Sequence, residues 1–150
     1  MPGPVTSTPE FTEDDRDHVV NINLQSVFLT LKYLMPIMIS QGEVVIINTA
    51  STAGLDGVSF MPVYCASKAG IILLTKAMAL ECAPQNIRSN CIVPGGTQTA
   101  MTEPMIGIDL SDLKTIKQRP PGWRWIQPEE IARVALFLAC DDSSSVIGSV

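Results

Sequence analysis

Charge is scarce in this sequence. Of 150 residues, 10 are Lys or Arg and 15 are Asp or Glu, 17% in all, where soluble domains usually carry about 25%. Apolar residues make up 46%, which excludes a disordered chain, and the length suits one domain with one core. Basic clusters are missing and the net charge is −5, so nucleic acid is not expected as a partner. Long apolar runs are missing too. The richest stretch, Val19 to Ile39, is broken by Asn21, Asn23, Gln25, Lys32 and Pro36, which argues against a membrane span and a membrane partner. Paired metal ligands are absent: Cys65, Cys82, Cys91 and Cys140 are spaced by 17, 9 and 49 positions, matching neither CxxC nor a zinc site. They read as buried thiols of a reducing, cytoplasmic compartment. The single histidine, His18, has no second histidine with which to hold a metal, and the chain offers no Ser/His triad. No metal is expected. The first residues lack the basic start and apolar stretch of a signal peptide, and 1–11 reads as a leader loop.

What remains is patterned. Thr12 with Asp15 forms an acidic capping box, and apolar residues recur at helical spacing from Val20 to Met38, predicting a helix over 13–39 with a kink or stop near Pro36. Gly42 precedes the β-branched run up to Thr49, which suits a strand covered on both faces. Residues 64–81 predict a helix closed by Pro84, its dense apolar cover implying burial on two sides. Residues 87–93 predict a second strand, ended by Pro94-Gly95-Gly96. Pro128 opens another helix with Glu129 and Glu130 in its first turn. Residues 145–150 begin like a third strand. Strands alternating with helices and joined by short links imply an α/β fold with a parallel sheet.

Chemistry concentrates between the strands. Tyr64-Cys-Ala-Ser-Lys68 sets a phenol and an ammonium one helical turn apart on one face. An unperturbed phenol titrates near ~10, and a neighbouring cation lowers that value towards one useful for proton transfer. By itself the pair also fits an ordinary surface contact. Ser51 lies thirteen residues before Tyr64, just past the carboxyl end of the first strand, where open α/β sheets bind ligands. Residues 48–54 equally fit a plain strand-to-loop turn, and 94–99 a turn with hydroxyl caps.

Taken together these residues resemble the short-chain dehydrogenase/reductase family of the classical type. The resemblance runs through Asn23 in Val20-Asn-Ile-Asn-Leu, Ser51, Tyr64 with Lys68, Pro94-Gly95 followed by Thr97 and Thr99, and Gln127-Pro-Glu-Glu-Ile-Ala132. It implies a Rossmann-like doubly wound parallel sheet and hydride transfer between NAD or NADP and a carbon bearing a hydroxyl or carbonyl, interconverting a secondary alcohol and a ketone. Tyr64 would exchange the proton on the substrate oxygen. Lys68 would lower the tyrosine pKa and hold the nicotinamide ribose, Ser51 would orient the substrate oxygen, and Asn23 would hold a water linking Lys68 to solvent. Pro94, Gly95, Thr97 and Thr99 would lie along the nicotinamide. Residues 100–126 would form a substrate lid, apolar through Met101, Met105, Ile106, Ile108, Trp123 and Trp125, although both Trp could simply pack beneath a loop.

The family's glycine-rich phosphate turn is missing, since the glycines Gly3, Gly42, Gly54, Gly57 and Gly70 form no G-x-x-x-G-x-G. The resemblance is therefore to the carboxyl-side catalytic half, with 1–150 a partial domain whose nucleotide-binding half is absent. Two expectations follow. The chain is part of an oxidoreductase, or it is a truncated, catalytically silent chain acting at most as an interaction module. Alone it is expected to bind NAD or NADP poorly. Apolar residues around the helices 13–39 and 64–81, with Ala66, Ala69, Ala77 and Ala79, predict a homodimer, or a homotetramer built from it.

Overall fold

The computed structural model describes residues 1–103 and 124–150. Helix α1 (Glu13–Val20) starts at Thr12, whose side chain accepts the amide of Asp15 at 3.1 Å. It runs through a π turn, Asn21–Gln25, into α2 (Ser26–Gln41), which Gly42 ends. Pro36 lies inside α2 and does not stop it. The helix is one amide bond poorer there, yet the irregularity falls at the π turn, where the ladder shifts by one residue.

Strand β1 (Val45–Thr49) leads into the short helix α3 (Ala53–Asp56), and α4 (Pro62–Cys82) follows with proline in its first turn. A left-handed Asn86, φ 58°, turns the chain into β2 (Arg88–Ile92). The strands pair in parallel from Val45 opposite Arg88 to Thr49 opposite Ile92. Bonds beyond the strands continue the ladder: Arg88 N to Val44 O at 3.0 Å, Ala50 N to Ile92 O at 2.8 Å, and Thr52 N to Pro94 O at 3.1 Å.

Helix α5 (Pro128–Ala139) begins with a reciprocal capping box between Gln127 and Glu130. Arg88 ties down its far end, donating to Leu138 O and Ser143 Oγ at 3.1 Å and to Cys140 O at 3.3 Å. The expected third strand is an irregular segment lying along the free side of β2. Gly148 N donates to Ser89 O, Cys91 N donates to Ser149 O, and the buried Asn90 side chain holds Val146 O and Ser149 N.

Two apolar clusters hold the layers together. Leu31, Ile46, Cys82 and Ile87 join α2, β1 and α4, while Ala50, Ile71, Ile72 and Cys91 pack beneath the carboxyl ends of the strands. The β1 strand alternates instead of being covered on both faces: Ile46 and Asn48 are buried, whereas Val45 and Ile47 are half-buried. Helix α4 likewise buries one face. Leu73 and Leu80 stand exposed, Leu80 at 82%, because nothing among the described residues packs over them. By length and composition the stretches Glu13–Gln41 and Pro62–Gln85 would suffice to cross a membrane. Each nonetheless lays a side against the sheet or its neighbouring helix and buries polar Asn23, Ser67 or Thr75 there. The four cysteines are free thiols, but only Cys82 and Cys91 are buried as expected; Cys65 is half-buried and Cys140, at the end of α5, is exposed.

Candidate active site

The first turns of α4 carry Tyr64 and Lys68. Proline at the start of α4 fixes its entry, and the helical repeat then sets Tyr64 and Lys68 on one face, the Lys68 Nζ 5.9 Å from the Tyr64 ring centroid. Both side chains are half-buried. Lys68 Nζ donates to the carbonyl of Thr49, the last residue of β1, at 3.1 Å. Burial pushes the Lys68 pKa below its ordinary value, and the Cys91 thiol opposes that shift. The Cys91 thiol is itself pushed up by burial.

Ser51 follows β1 directly. Its Oγ accepts the amide of Ala53 at 3.2 Å, and its carbonyl accepts the amide of Gly54 at 2.9 Å. Gly54 then presses on α4: a Cβ there would stand 2.7 Å from the Lys68 carbonyl carbon and from the Ala69 nitrogen. No side chain fits that gap, so glycine lets the Ser51 turn sit against the Lys68 turn. Gly70 does the same for the π turn, since its Cβ would fall 2.8 Å from Leu24 Cδ2.

Asn23 sits in that π turn and is 5% exposed. Its Nδ2 donates to Ser67 Oγ at 3.1 Å and to Met1 O at 2.8 Å, while the Met1 ammonium donates to Asn23 Oδ1 at 2.7 Å. The Met1 ammonium pKa is lowered by burial and then by the charge of Lys68.

Among the described residues the loop after β2 is tied to this group at Pro94 O, through the amide of Thr52. Beyond it the threonine side chains bond locally. Thr97 Oγ1 donates to Gly95 O at 3.2 Å, and Thr99 Oγ1 pairs with Thr102 Oγ1 at 3.2 Å. A parallel bridge between Thr97 and Ile126 and a hydrogen bond from Gln127 to Gln98 close the two stems of the expected lid. Met105, Ile106, Ile108 and Trp123 lie outside the described residues. The structure thus brings Asn23, Ser51, Tyr64 and Lys68 together around one end of β1, with Pro94 beside them. No hydrogen bond joins Thr97 or Thr99 to that group among the described residues.

The sequence reading missed Gly54, Gly70 and Ser67. The close approaches carry no local signal beyond small side chains, and Ser67 was visible only as an unremarked residue between Tyr64 and Lys68.

A parallel βαβ unit with polar groups gathered at the carboxyl ends of its strands defines a doubly wound α/β protein of the dinucleotide-binding kind. The family model described as enoyl-(acyl carrier protein) reductase matches residues 3–150. Over 138 residues the chain is 43% identical to the 3-oxoacyl-(acyl-carrier-protein) reductase FabG of Thermotoga maritima, covering 92% of this chain and 55% of that protein. The crystal structure of levodione reductase superposes with a TM-score of 0.89 at 35% identity, over 100% of this chain and 60% of that one. NAD+-bound xylitol dehydrogenase superposes at 0.85 with 34% identity, over 99% and 62%. The chain belongs to the short-chain dehydrogenase/reductase family, whose members are Rossmann-fold oxidoreductases that use NAD or NADP. It spans about half the length of the curated relatives it matches.

The donor set at the site fits the nicotinamide end of such a cofactor. Among the described residues Lys68 uses one of its three ammonium protons, on Thr49 O, leaving two for a ribose diol. A Cβ on Gly95 would meet only Ile126 Cδ1, at 3.7 Å, so the turn after β2 presents open backbone on that side.

Proposed function

We propose that residues 1–150 are the catalytic half of an NAD(P)-dependent oxidoreductase interconverting a secondary alcohol and a ketone. The observation that carries this reading is the Tyr64–Lys68 turn set against the end of β1, with Lys68 hydrogen-bonded to Thr49 O. Lys68 and the loop 94–99 would hold the nicotinamide end of NAD or NADP, which would supply the hydride chemistry at the carbon bearing the oxygen. Tyr64 gives the substrate oxygen its proton in reduction and takes it in oxidation. Lys68 offers its free ammonium protons to the ribose and its charge to the phenol. Ser51 donates to the substrate oxygen as charge develops there. Asn23 holds a water that links Lys68 to solvent, and Pro94, Gly95, Thr97 and Thr99 lie along the nicotinamide, a reading supported by the Thr52 to Pro94 bond that ties their loop to the Ser51 turn.

Exposed Leu55, Val58 and Phe60 lie between Ser51 and Tyr64, and exposed Met101 follows Thr99. These apolar side chains favour a substrate with hydrophobic bulk over a small charged polyol. The reading of a silent interaction module draws on exposed Phe28, Tyr33 and Ile37 of α2 and Leu73 and Leu80 of α4. A homodimer burying these faces serves both readings.

The test joins residues 1–150 to a glycine-rich nucleotide-binding half, as in the relatives. Tyr64→Phe is expected to lower kcat at least ~100-fold on a hydrophobic secondary alcohol with the fold unchanged. Near-normal turnover in that variant sinks the role given to Tyr64, whereas a joined parent protein that folds and turns over nothing leaves the module reading.

A further inference from the structure

We propose that Ser67 is a positioning residue for the proton-transfer turn, coupling Asn23 to the backbone of Tyr64. This inference rests on the function proposed above. Ser67 is 1% exposed, in the interior of α4 between Tyr64 and Lys68. A serine in a helix interior usually lends nothing to the helix, and when it bonds back to an earlier carbonyl it bends the axis. Here the bond back is made: Ser67 Oγ donates to Tyr64 O at 2.7 Å.

The direction of the relay is set by chemistry. Asn23 Nδ2 can only donate, so at 3.1 Å the Ser67 oxygen accepts from it and its single proton is left for Tyr64 O. Each bond polarises the next, and the first of them is buried. The carbonyl so held belongs to Tyr64 itself. Its helix bond runs towards the amide of Lys68, so the hydroxyl sits on the peptide geometry that aims both side chains. At the other end stands a π turn, a distortion that recurs at functional sites. That turn is pressed on α4 at Gly70. Asn23 and Ser67 lie 44 positions apart in the chain, and the relay joins the helix carrying Asn23 to the helix carrying the phenol.

The role separates from plain packing in a double-mutant cycle on the active, cofactor-loaded protein. In Ser67→Ala we expect kcat to fall about tenfold. The pH profile of kcat/KM should move by half a unit or more, with KM for the dinucleotide within about twofold. Asn23→Ala should move the pH profile the same way and cost at least as much, since it also gives up its two bonds to Met1, and the double variant should be no worse than Asn23→Ala, because both remove the same relay. Amide hydrogen exchange at 64–68 should accelerate in Ser67→Ala while 72–82 holds its protection. Should Ser67→Ala fold poorly, Ser67→Cys keeps the volume, donates only weakly, and carries the same expectations. An unmoved pH profile with kcat per folded molecule within twofold of the parent overturns the inference, as do effects that multiply in the double variant. If Tyr64→Phe is inactive and Ser67→Ala is normal, this inference alone fails; if Tyr64→Phe turns over normally, the functional reading fails first.

Discussion

The two walls of the site are built on different principles. On the α4 side, Asn23 bonds Ser67 across 44 positions in a buried contact and Lys68 bonds Thr49 across 19, while Ser67 reaches Tyr64 within one helical turn. On the side of the loop after β2, the side chains of Thr97, Thr99 and Thr102 bond two to five positions away, half of these bonds exposed, and the longer bonds at 96–98 run to Ile126 and Gln127 rather than to the α4 side. The contrast teaches where tolerance lies. A long-range buried bond is lost when either distant element shifts, whereas a local cap survives as long as its own turn does.

Several substitutions break or sharpen this contrast. The largest effect belongs to Lys68→Ala in the protein carrying both halves: kcat should fall at least ~100-fold and dinucleotide affinity should fall with it, since one ammonium serves both. Steady-state kinetics with a binding titration separates the two, and a loss of rate with unchanged affinity contradicts the dual role. Next comes Gly54→Val, which forces a side chain into the 2.7 Å gap above Lys68 and Ala69. It should cost about 1–3 kcal/mol in chemical denaturation and slow turnover by moving Ser51. On the opposite wall Thr97→Ala should stay within about 0.5 kcal/mol and change kcat less than about threefold. A tenfold loss there would erase the proposed difference between the walls.

The smallest effect is one of pH. Arg124 grips Glu130 through both carboxylate oxygens, and the pair holds the Glu130 carboxyl at about 2, against 4.5 ordinarily. A depressed acid adds its stability above its unfolded pKa and loses it as pH falls through the folded one. The melting temperature of the parent should therefore drop towards that of Glu130→Gln between pH 4.5 and about 2. Parallel curves for the two across that window would show that the ion pair does nothing for the stem at 124–130.

Much of this was legible in the residues because it is local. The Thr12 cap, the proline start of α5 with Glu130 in its first turn, and the four-residue step from Tyr64 to Lys68 each need only one turn of chain. The rest depends on contacts that no window contains. Nothing around Asn21–Gln25 announces a π turn; it forms where Gly70 admits Leu24 and Ser67 accepts Asn23. Pro36 pointed to a break, and α2 runs through it. Its neighbours Tyr33, Leu34 and Ile37 are exposed, so a carbonyl freed there is not sealed from water. The apolar cover of α4 was read as burial on two sides, but periodicity reports how much apolar surface a helix has and not what meets it.

The continued ladder between the strands also decides where this protein can gain or lose a residue. Ser51 and Pro94 are held level by the bonds Ala50 to Ile92 and Thr52 to Pro94, two steps beyond the last strand pair. One residue added within 45–49 or 88–92 would shift one wall past the other by roughly 3.3 Å and turn every following side chain to the opposite face. The turns at Gly42 and Asn86 lie at the other end of the strands, and a length change there is absorbed before the ladder begins. Indels in proteins built on this plan should therefore gather at the amino ends of the strands and spare the stretches from Val45 to Thr52 and from Arg88 to Pro94.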